Sequence, residues 1–177
     1  MPDDRVSEKI RKAVIQRALG CCEYCRSQVN FAVQSFSVEH IRPRDKGGLS
    51  MLENLALSCQ GCNNYKYNKT DGIDPITGLP APLFHPRQQM WGEHFTWNDD
   101  YTLMIGLTST GRATVDTLQV NRPGVVNLRR VLYTSGDHPP PFPSPTTTGF
   151  ITHSPAVPGS VRYVVRAVRP RQTELGA

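Results

Sequence analysis

Two Cys-x-x-Cys pairs constrain the fold of this chain more than any other feature of its sequence. The pairs are Cys22/Cys25 and Cys59/Cys62, and Cys21 is the last of the five cysteines. Each pair can present two sulfurs to one ion, and thiolate is the ligand that structural zinc prefers. We therefore predict a closed site of four thiolates for Zn²⁺, which stabilises the fold and leaves no position open for chemistry. The alternatives are Cys21 in place of Cys22, or reduced and buried cysteines without a metal.

Length and charge limit the classes of protein to which the chain can belong. Its 177 residues suffice for one modest core, or for a metal-stapled module with an appendage. The 20 Lys and Arg exceed the 15 Asp and Glu, which suits a polyanionic partner, although many basic proteins bind none. The sequence contains no run of about 18 apolar residues, so no membrane span is predicted. Met1–Arg5 lacks the apolar core of a secretory signal, so a cytoplasmic, reducing compartment is expected.

The residues between the two cysteine pairs predict a compact α+β module. Phe31–His40 is rich in residues that favour strands, and Leu55–Ser58 is short and apolar. Pro43 and Gly47–Gly48 require a turn or an irregular loop between these two segments. Asn63–Asn68 is predicted as a short helix. The expected order is strand, loop, strand and helix, with a cysteine knuckle at each end.

An amphipathic helix is predicted ahead of this module, over Ser7–Leu19. Asp4 or Ser7 can cap its start, and Gly20 can end it in a left-handed conformation. Its basic face is either solvated or turned towards phosphates. Its apolar stripe consists of Ile10, Val14 and Leu19.

The rest of the chain divides into a connector, an extension and a tail. Thr70–Pro82 is a turn-rich connector, and Tyr133–Ala177 holds many prolines and predicts disorder. The expected domains are residues 5–72, an extension of unknown role over residues 83–132, and the tail over residues 133–177. The extension is predicted to contain strands at Phe95–Trp97 and Tyr101–Leu107 and helices at Thr114–Val120 and Val125–Leu132. Its aromatic residues form either a small core or a base-stacking surface; they are Phe84, Trp91, Phe95, Trp97 and Tyr101.

Four polar residues are suited to hydrolysis of a phosphodiester; three lie between the cysteine pairs, and the fourth directly follows the last cysteine. His40 has an ordinary pKa of about 6.5, so it can take a proton from water near neutral pH. Glu39 offers a carboxylate and Asn63 a carbonyl oxygen, which are ligands for Mg²⁺ or Mn²⁺. Asn54 can hydrogen-bond backbone atoms and hold the loop that aims His40. The simpler interpretation is that these are ordinary polar residues of a loop.

In these motifs the chain resembles the HNH endonuclease family in its zinc-containing form. The resemblance covers about residues 20–69, through Cys22-x-x-Cys25, Glu39-His40-x-x-Pro43-x-x-x-Gly47-Gly48, Asn54-Leu55 and Cys59-x-x-Cys62-Asn63-x-x-Lys66. It implies a ββα-metal fold, a structural zinc and cleavage of DNA that depends on a divalent cation. It places the general base at His40, the metal ligands at Glu39 and Asn63, and the structural asparagine at Asn54.

Two positions depart from the family pattern. Asn63 stands where histidine is often found, which favours a hard ion such as Mg²⁺ over a transition metal. Glu39 stands where aspartate is commoner, and its extra methylene shifts the expected position of the ion. The cations expected to contact phosphate are Arg42, Arg44, Lys46, Lys66 and Lys69, because lysine and arginine neutralise phosphates without reading bases.

The function predicted from the sequence is metal-dependent DNA endonuclease activity with a histidine general base. One alternative is a zinc-knuckle module that binds nucleic acid and has lost its activity, for which the Asn63 variant is the main reason. A second alternative is a zinc-stapled interaction protein with the proline-rich tail as its ligand segment.

Overall fold

The computed structural model describes residues 6–141 of the chain, and these residues form a mixed α+β structure. Within that range the strands pair into three two-stranded antiparallel sheets, β1 with β2, β3 with β4 and β5 with β6. No helix in the same range is long and apolar enough to cross a membrane. The elements in chain order are α1 (Glu8–Arg17), β1 (Ser37–His40), β2 (Leu55–Ser58), α2 (Gln60–Lys66), β3 (Asp71–Ile73), β4 (Pro80–Pro82), α3 (Trp91–His94), β5 (Phe95–Trp97), β6 (Met104–Gly106), α4 (Ser109–Thr117) and α5 (Pro123–Ser135).

Helix α1 begins at a serine cap and packs against the first sheet. Ser7 Oγ accepts a hydrogen bond from the backbone N–H of Ile10 at 3.3 Å. Val14 and Ala18 are buried against β2. Leu19, which was expected in the apolar stripe, is 54% exposed. Leu19 lies outside the apolar stripe because the helix ends before it: Ala18 is the C-cap, and Leu19 has a left-handed conformation at φ 51°.

The first sheet and α2 have the predicted order of strand, loop, strand and helix. His40 lies opposite Leu55, and Glu39 lies opposite Ala56. All four residues of β2 are buried, whereas β1 buries only Glu39. Cys59 caps α2, and its Sγ accepts from the N–H of Cys62 at 3.5 Å. This arrangement, with the cysteine cluster described below, confirms the ββα-metal module.

The segment predicted as a connector forms a hairpin of β3 and β4. The Asp74 carboxylate closes its turn by accepting from Ile76 N at 3.1 Å and Thr77 Oγ1 at 3.0 Å. Arg112 of α4 donates two hydrogen bonds of 2.7 Å to the same carboxylate, and these hold the pKa of Asp74 well below its usual range. Strands β3 and β4 have three residues each and contain Gly or Pro, so their sequences show no alternation of polar and apolar residues that would predict strands. The hairpin instead depends on its contacts with α4.

The second half of the extension is close to its prediction, but α4 begins and ends earlier than expected, and α5 is longer at both ends. Strands β5 and β6 occupy the expected region, while α4 begins at Ser109, where Thr108 Oγ1 accepts from Gly111 N at 3.0 Å. Helix α5 continues to Ser135 and ends at Gly136 with φ 82°. The expected tail therefore overlaps the last helix by three residues. Residues 142–177, with most of the predicted disordered tail, lie outside the described residues.

One hydrophobic core joins the cysteine module to the extension. Phe84 and Phe95 pack edge to face, with their ring centroids 5.1 Å apart, and both are buried. The Trp91 indole N–H donates to the carbonyl of Tyr24 at 3.2 Å. These contacts favour the core interpretation of the aromatic residues. The buried members of the cluster are Cys22, Tyr24, Cys25, Ile41, Ala56, Cys59, Cys62, Leu83, Phe84, Phe95, Met104, Leu118 and Val120.

Candidate functional site

The four predicted thiol ligands converge in the interior. The sulfurs of Cys22, Cys25, Cys59 and Cys62 all lie within 4.8 Å of one another, and all four residues are buried. The sulfurs of Cys25 and Cys59 are 3.6 Å apart. Tetrahedral zinc with Zn–S bonds of about 2.3 Å separates its sulfurs by roughly 3.8 Å, so this donor set fits structural zinc. Cys21 lies outside the cluster, and its thiol donates to the carbonyl of Leu19 at 3.6 Å.

Two arginines of the extension approach this sulfur cluster. Arg122 Nη2 donates to Cys59 Sγ at 3.3 Å, and Arg129 Nη2 donates to the carbonyl of Cys25 at 3.2 Å. Burial alone would lower the pKa of Arg122, but the charges of Cys62, Cys59 and Cys25 together raise it above its ordinary value. Four thiolates carry more negative charge than one Zn²⁺ neutralises, so the guanidinium of Arg122 compensates charge beside the site.

Glu39 lies on the buried side of β1 in an ion pair with Lys66 of α2. Lys66 Nζ donates to Glu39 Oε2 at 2.9 Å and to the carbonyl of His40 at 2.9 Å. The hydroxyl of Tyr24 donates to Glu39 Oε1. Burial raises the pKa of Glu39, while Lys66 and Tyr24 oppose that shift. Both carboxylate oxygens of Glu39 are therefore engaged inside the protein.

This ion pair differs from two of the expectations drawn from the sequence. Glu39 was expected to face a divalent cation, but it is 7% exposed and the Lys66 ammonium takes the place of that cation. Lys66 was expected to contact phosphate, but it is 2% exposed. The reason is helical geometry, because Lys66 follows Cys62 by four residues and so shares its inward face of α2. As described, Glu39 does not fit a role as a ligand of a divalent cation.

His40 lies at the end of β1 and projects away from Glu39, because successive strand residues point to opposite faces. Its imidazole is half-buried, and His40 Nε2 is 2.9 Å from Ser50 Oγ. Ser50 belongs to the loop between β1 and β2. The loop therefore folds back over the imidazole and limits its rotation.

Asn54 fixes this loop through its side-chain amide. Asn54 Oδ1 accepts from the N–H of Arg42 at 2.8 Å, and Nδ2 donates to the carbonyls of Arg42 and Leu49 at 3.0 Å each. A Cβ at Gly48 would overlap the carbonyl of Arg42, so the close approach of these two backbone segments requires glycine. The hydrogen bonds agree with the anchoring role expected for Asn54.

Asn63 follows Cys62 on α2 and is half-buried. It precedes Lys66 by three residues, which places both side chains on the same face of the helix. Within residues 6–141 the structure records no hydrogen-bond partner for its side-chain amide. Its carbonyl oxygen is thus available to a ligand, unlike the carboxylate of Glu39.

The remaining predicted phosphate contacts lie at the surface. Arg42 and Arg44 follow His40 in the loop, with Lys46 at the end of a short 3₁₀ turn and Lys69 just beyond α2. All four are exposed. Arg42 Nε donates to the carbonyl of Lys46 at 2.6 Å, which holds the guanidinium against the loop. Lys69 Nζ donates to the carbonyl of Tyr65 at 2.9 Å.

A comparison with family models agrees with this geometry. Residues 22–69 match the HNH endonuclease family. The match spans both cysteine pairs, β1, β2 and α2, and it ends before the extension. A nucleic-acid substrate is implied for this HNH domain. No curated protein matches the chain.

Four residues that shape the site were not found from the sequence. Tyr24 lies between Cys22 and Cys25 of the cluster, and nothing in the sequence there indicates that its hydroxyl points inward. Ser50 is one polar residue in a polar loop. Arg122 and Arg129 are far along the chain from the cysteines, and only the tertiary fold brings them together. The pairing of Glu39 with Lys66 was not predicted either, although both residues belong to the motif.

Proposed function

We propose that the protein is an endonuclease that hydrolyses phosphodiester bonds of DNA with His40 as its general base. The observation that carries the proposal is the placement of His40 at a strand end, under a loop that Asn54 anchors by three hydrogen bonds. A neutral imidazole held in this way can accept the proton of an attacking water. The exposed cations beside the same loop favour a polyanionic substrate.

In the proposed reaction a water oxygen attacks phosphorus while His40 takes one of its protons. The bond between phosphorus and the 3′ oxygen then breaks, and that oxygen gains a proton from solvent. The products are a 5′-phosphate and a 3′-hydroxyl, as the family resemblance implies. Ser50 and Asn54 act as positioning residues, because they hold the imidazole and its loop and not the reacting atoms.

We retain Mg²⁺ or Mn²⁺ as the activating ion within this proposal, because the family resemblance implies one and the Asn63 amide has no protein partner within residues 6–141. Glu39 joins such a ligand set only when Lys66 releases its carboxylate. The proton transfer assigned to His40 does not depend on which residues hold the ion.

The test is nicking of supercoiled plasmid by the full chain and by His40→Ala, each with Mg²⁺, Mn²⁺ or EDTA. Loss of the general base should slow nicking by about 10²–10⁴-fold. Ser50→Ala keeps the imidazole and should have a smaller effect. Circular dichroism and zinc content serve as controls for folding. Equal nicking by His40→Ala and the unchanged chain would refute the proposal.

One observation favours a second candidate, a DNA-binding module without hydrolytic activity. The carboxylate expected to hold the cation is neutralised by Lys66 inside the protein. This candidate predicts that the unchanged chain binds DNA but nicks none of it with either ion. It also predicts that His40→Ala binds DNA as tightly as the unchanged chain.

A further inference from the structure

A cleft of about 600 Å³ lies between the HNH domain and the first part of the extension. One wall is formed by Arg42 and Lys46 of the loop after His40, together with Lys69 beyond α2. The other wall is formed by Pro82 at the end of β4 and by Leu83, Phe84, His85, Gln88 and Gln89 of the extension. The volume lies within the range of about 300–1,000 Å³ that is usual for ligand sites.

The charge of the cleft is positive. Arg42, Lys46 and Lys69 are exposed, and none of them forms an ion pair with a carboxylate within residues 6–141. Lys66 also lines the cleft, but Glu39 neutralises it. Asp71 is the one carboxylate among the lining residues, and it accepts a hydrogen bond from Thr70 Oγ1 at 2.7 Å. Three exposed cations therefore face one anion.

His85 brings a hydrogen-bond donor to this cleft from the extension. Its Nδ1 accepts from the N–H of Arg87 at 3.3 Å, which places the proton of a neutral ring on Nε2. Gln89 Oε1 accepts from the N–H of His85 at 2.8 Å and fixes the turn. Burial lowers the pKa of His85, a backbone hydrogen bond opposes that shift, and the nearby charge of Lys66 adds to it. Within residues 6–141 no protein group is recorded as a partner of His85 Nε2.

We propose that this cleft binds a phosphate group of the nucleic-acid backbone, which Lys46 and Lys69 hold from one wall and the Nε2–H group of His85 from the other. The proposal rests on the nucleic-acid substrate proposed above, and it gives the extension a part in binding that substrate. A phosphate is favoured over a base as the bound group. The cations of the cleft offer positive charge, whereas recognition of a base edge requires paired hydrogen-bond donors and acceptors. Ile41 and Arg42, which line the cleft, follow His40 directly in the chain.

The experiment measures binding of a fluorescent DNA duplex by anisotropy, without added Mg²⁺ or Mn²⁺ and over a range of salt concentrations. Omission of these ions prevents metal-dependent hydrolysis without removing structural zinc, and zinc content is checked in every sample. The variants are Lys46→Ala, Lys69→Ala, His85→Ala and His85→Gln. Arg130→Ala removes an exposed cation of α5 that does not line the cleft, and it serves as the matched control.

Each lysine variant should bind more weakly and should reduce the slope of log affinity against log salt by about 0.9. His85→Ala should also weaken binding but leave the slope unchanged, because a neutral donor releases no counterion. His85→Gln keeps a donor at a similar reach and should restore most of the affinity. Arg130→Ala should match the unchanged chain.

Three outcomes would overturn the proposed phosphate site. The first is lysine variants that behave like Arg130→Ala, and the second is His85→Ala with unchanged affinity. Absence of salt-dependent DNA binding by the unchanged chain would overturn it as well. The nuclease proposal can fail separately. If the chain binds DNA through the cleft but nicks none of it, the phosphate site is supported and the nuclease proposal is refuted. Conversely, the cleft variants could leave DNA binding unchanged while His40→Ala abolishes nicking. That result would support the nuclease proposal and refute the phosphate site in the cleft.

Discussion

At the residue scale, Glu39 and Lys66 form a buried ion pair beside the site, with 6% and 2% of their side chains exposed. Removing one partner of a buried ion pair leaves the other desolvated and unpaired, at a cost of about 3–5 kcal/mol. We therefore expect Lys66→Met to lower the free energy of unfolding by that amount. Glu39→Gln combined with Lys66→Met should be less destabilising than the sum of the two single changes. Urea denaturation of the four proteins measures this coupling.

A matched control for the buried pair lies on α1. Lys12 Nζ is 4.0 Å from Glu8 Oε1, and both side chains are at least 70% exposed. Exposed pairs contribute little, so Lys12→Met should change the free energy of unfolding by less than about 0.5 kcal/mol. If the effects of Glu39→Gln and Lys66→Met on the free energy of unfolding simply add in the double variant, that result would contradict the pairing seen in the structure.

The sequence predicted residue identities in the site better than residue orientations. Cysteine spacing and the motif around His40 are local, so the four clustered cysteines and the end of β1 could be found without the fold. The helix after Cys59 was expected to begin at Asn63 and in fact begins at Gln60. Lys66 was expected at the surface as a cation beside the proposed metal, whereas it lies on the inward face of this helix, four residues after Cys62. Orientation on a short helix depends on its cap, and the cysteine cap was not anticipated.

At the element scale, the start of α5 supports the cysteine cluster through Arg122. A Cβ on Gly61 would overlap the Arg122 guanidinium, which therefore lies directly over the first turn of α2. Residues that surround metal ligands commonly contribute about 10–100-fold to metal affinity. We expect Arg122→Ala to weaken zinc binding by about tenfold. Competition with a chromogenic zinc chelator measures this affinity.

Two further variants separate charge from packing at Arg122. Gly61→Ala displaces the guanidinium without changing net charge and should also weaken zinc binding. Arg130→Ala removes a cation of the same helix that contacts Asn127 and should leave zinc affinity unchanged. Zinc retention in Arg122→Ala equal to that of Arg130→Ala would show that the contact with Cys59 has no energetic role. Such a contact could not be read from the sequence, because 63 residues separate its partners.

At the scale of the whole molecule, the zinc cluster and the extension share one hydrophobic core, so their stabilities should be coupled. Both tryptophans of the chain, Trp91 and Trp97, belong to the extension and pack against the cluster that contains the zinc ligands. Binding of structural zinc contributes about 10–16 kcal/mol, which matches or exceeds the roughly 5–15 kcal/mol stability of a typical domain. Loss of zinc should therefore unfold the extension together with the HNH domain.

Tryptophan fluorescence tests this coupling, because it reports on the extension while zinc is bound outside it. On titration with a zinc chelator, the emission of Trp91 and Trp97 should shift towards that of solvent-exposed indole in the same transition that releases zinc. Far-ultraviolet circular dichroism should lose helical signal in parallel, and added Zn²⁺ should restore both. Native tryptophan emission in the zinc-free chain would show that the extension folds independently, and that its shared core with the cysteine ligands contributes little to its stability.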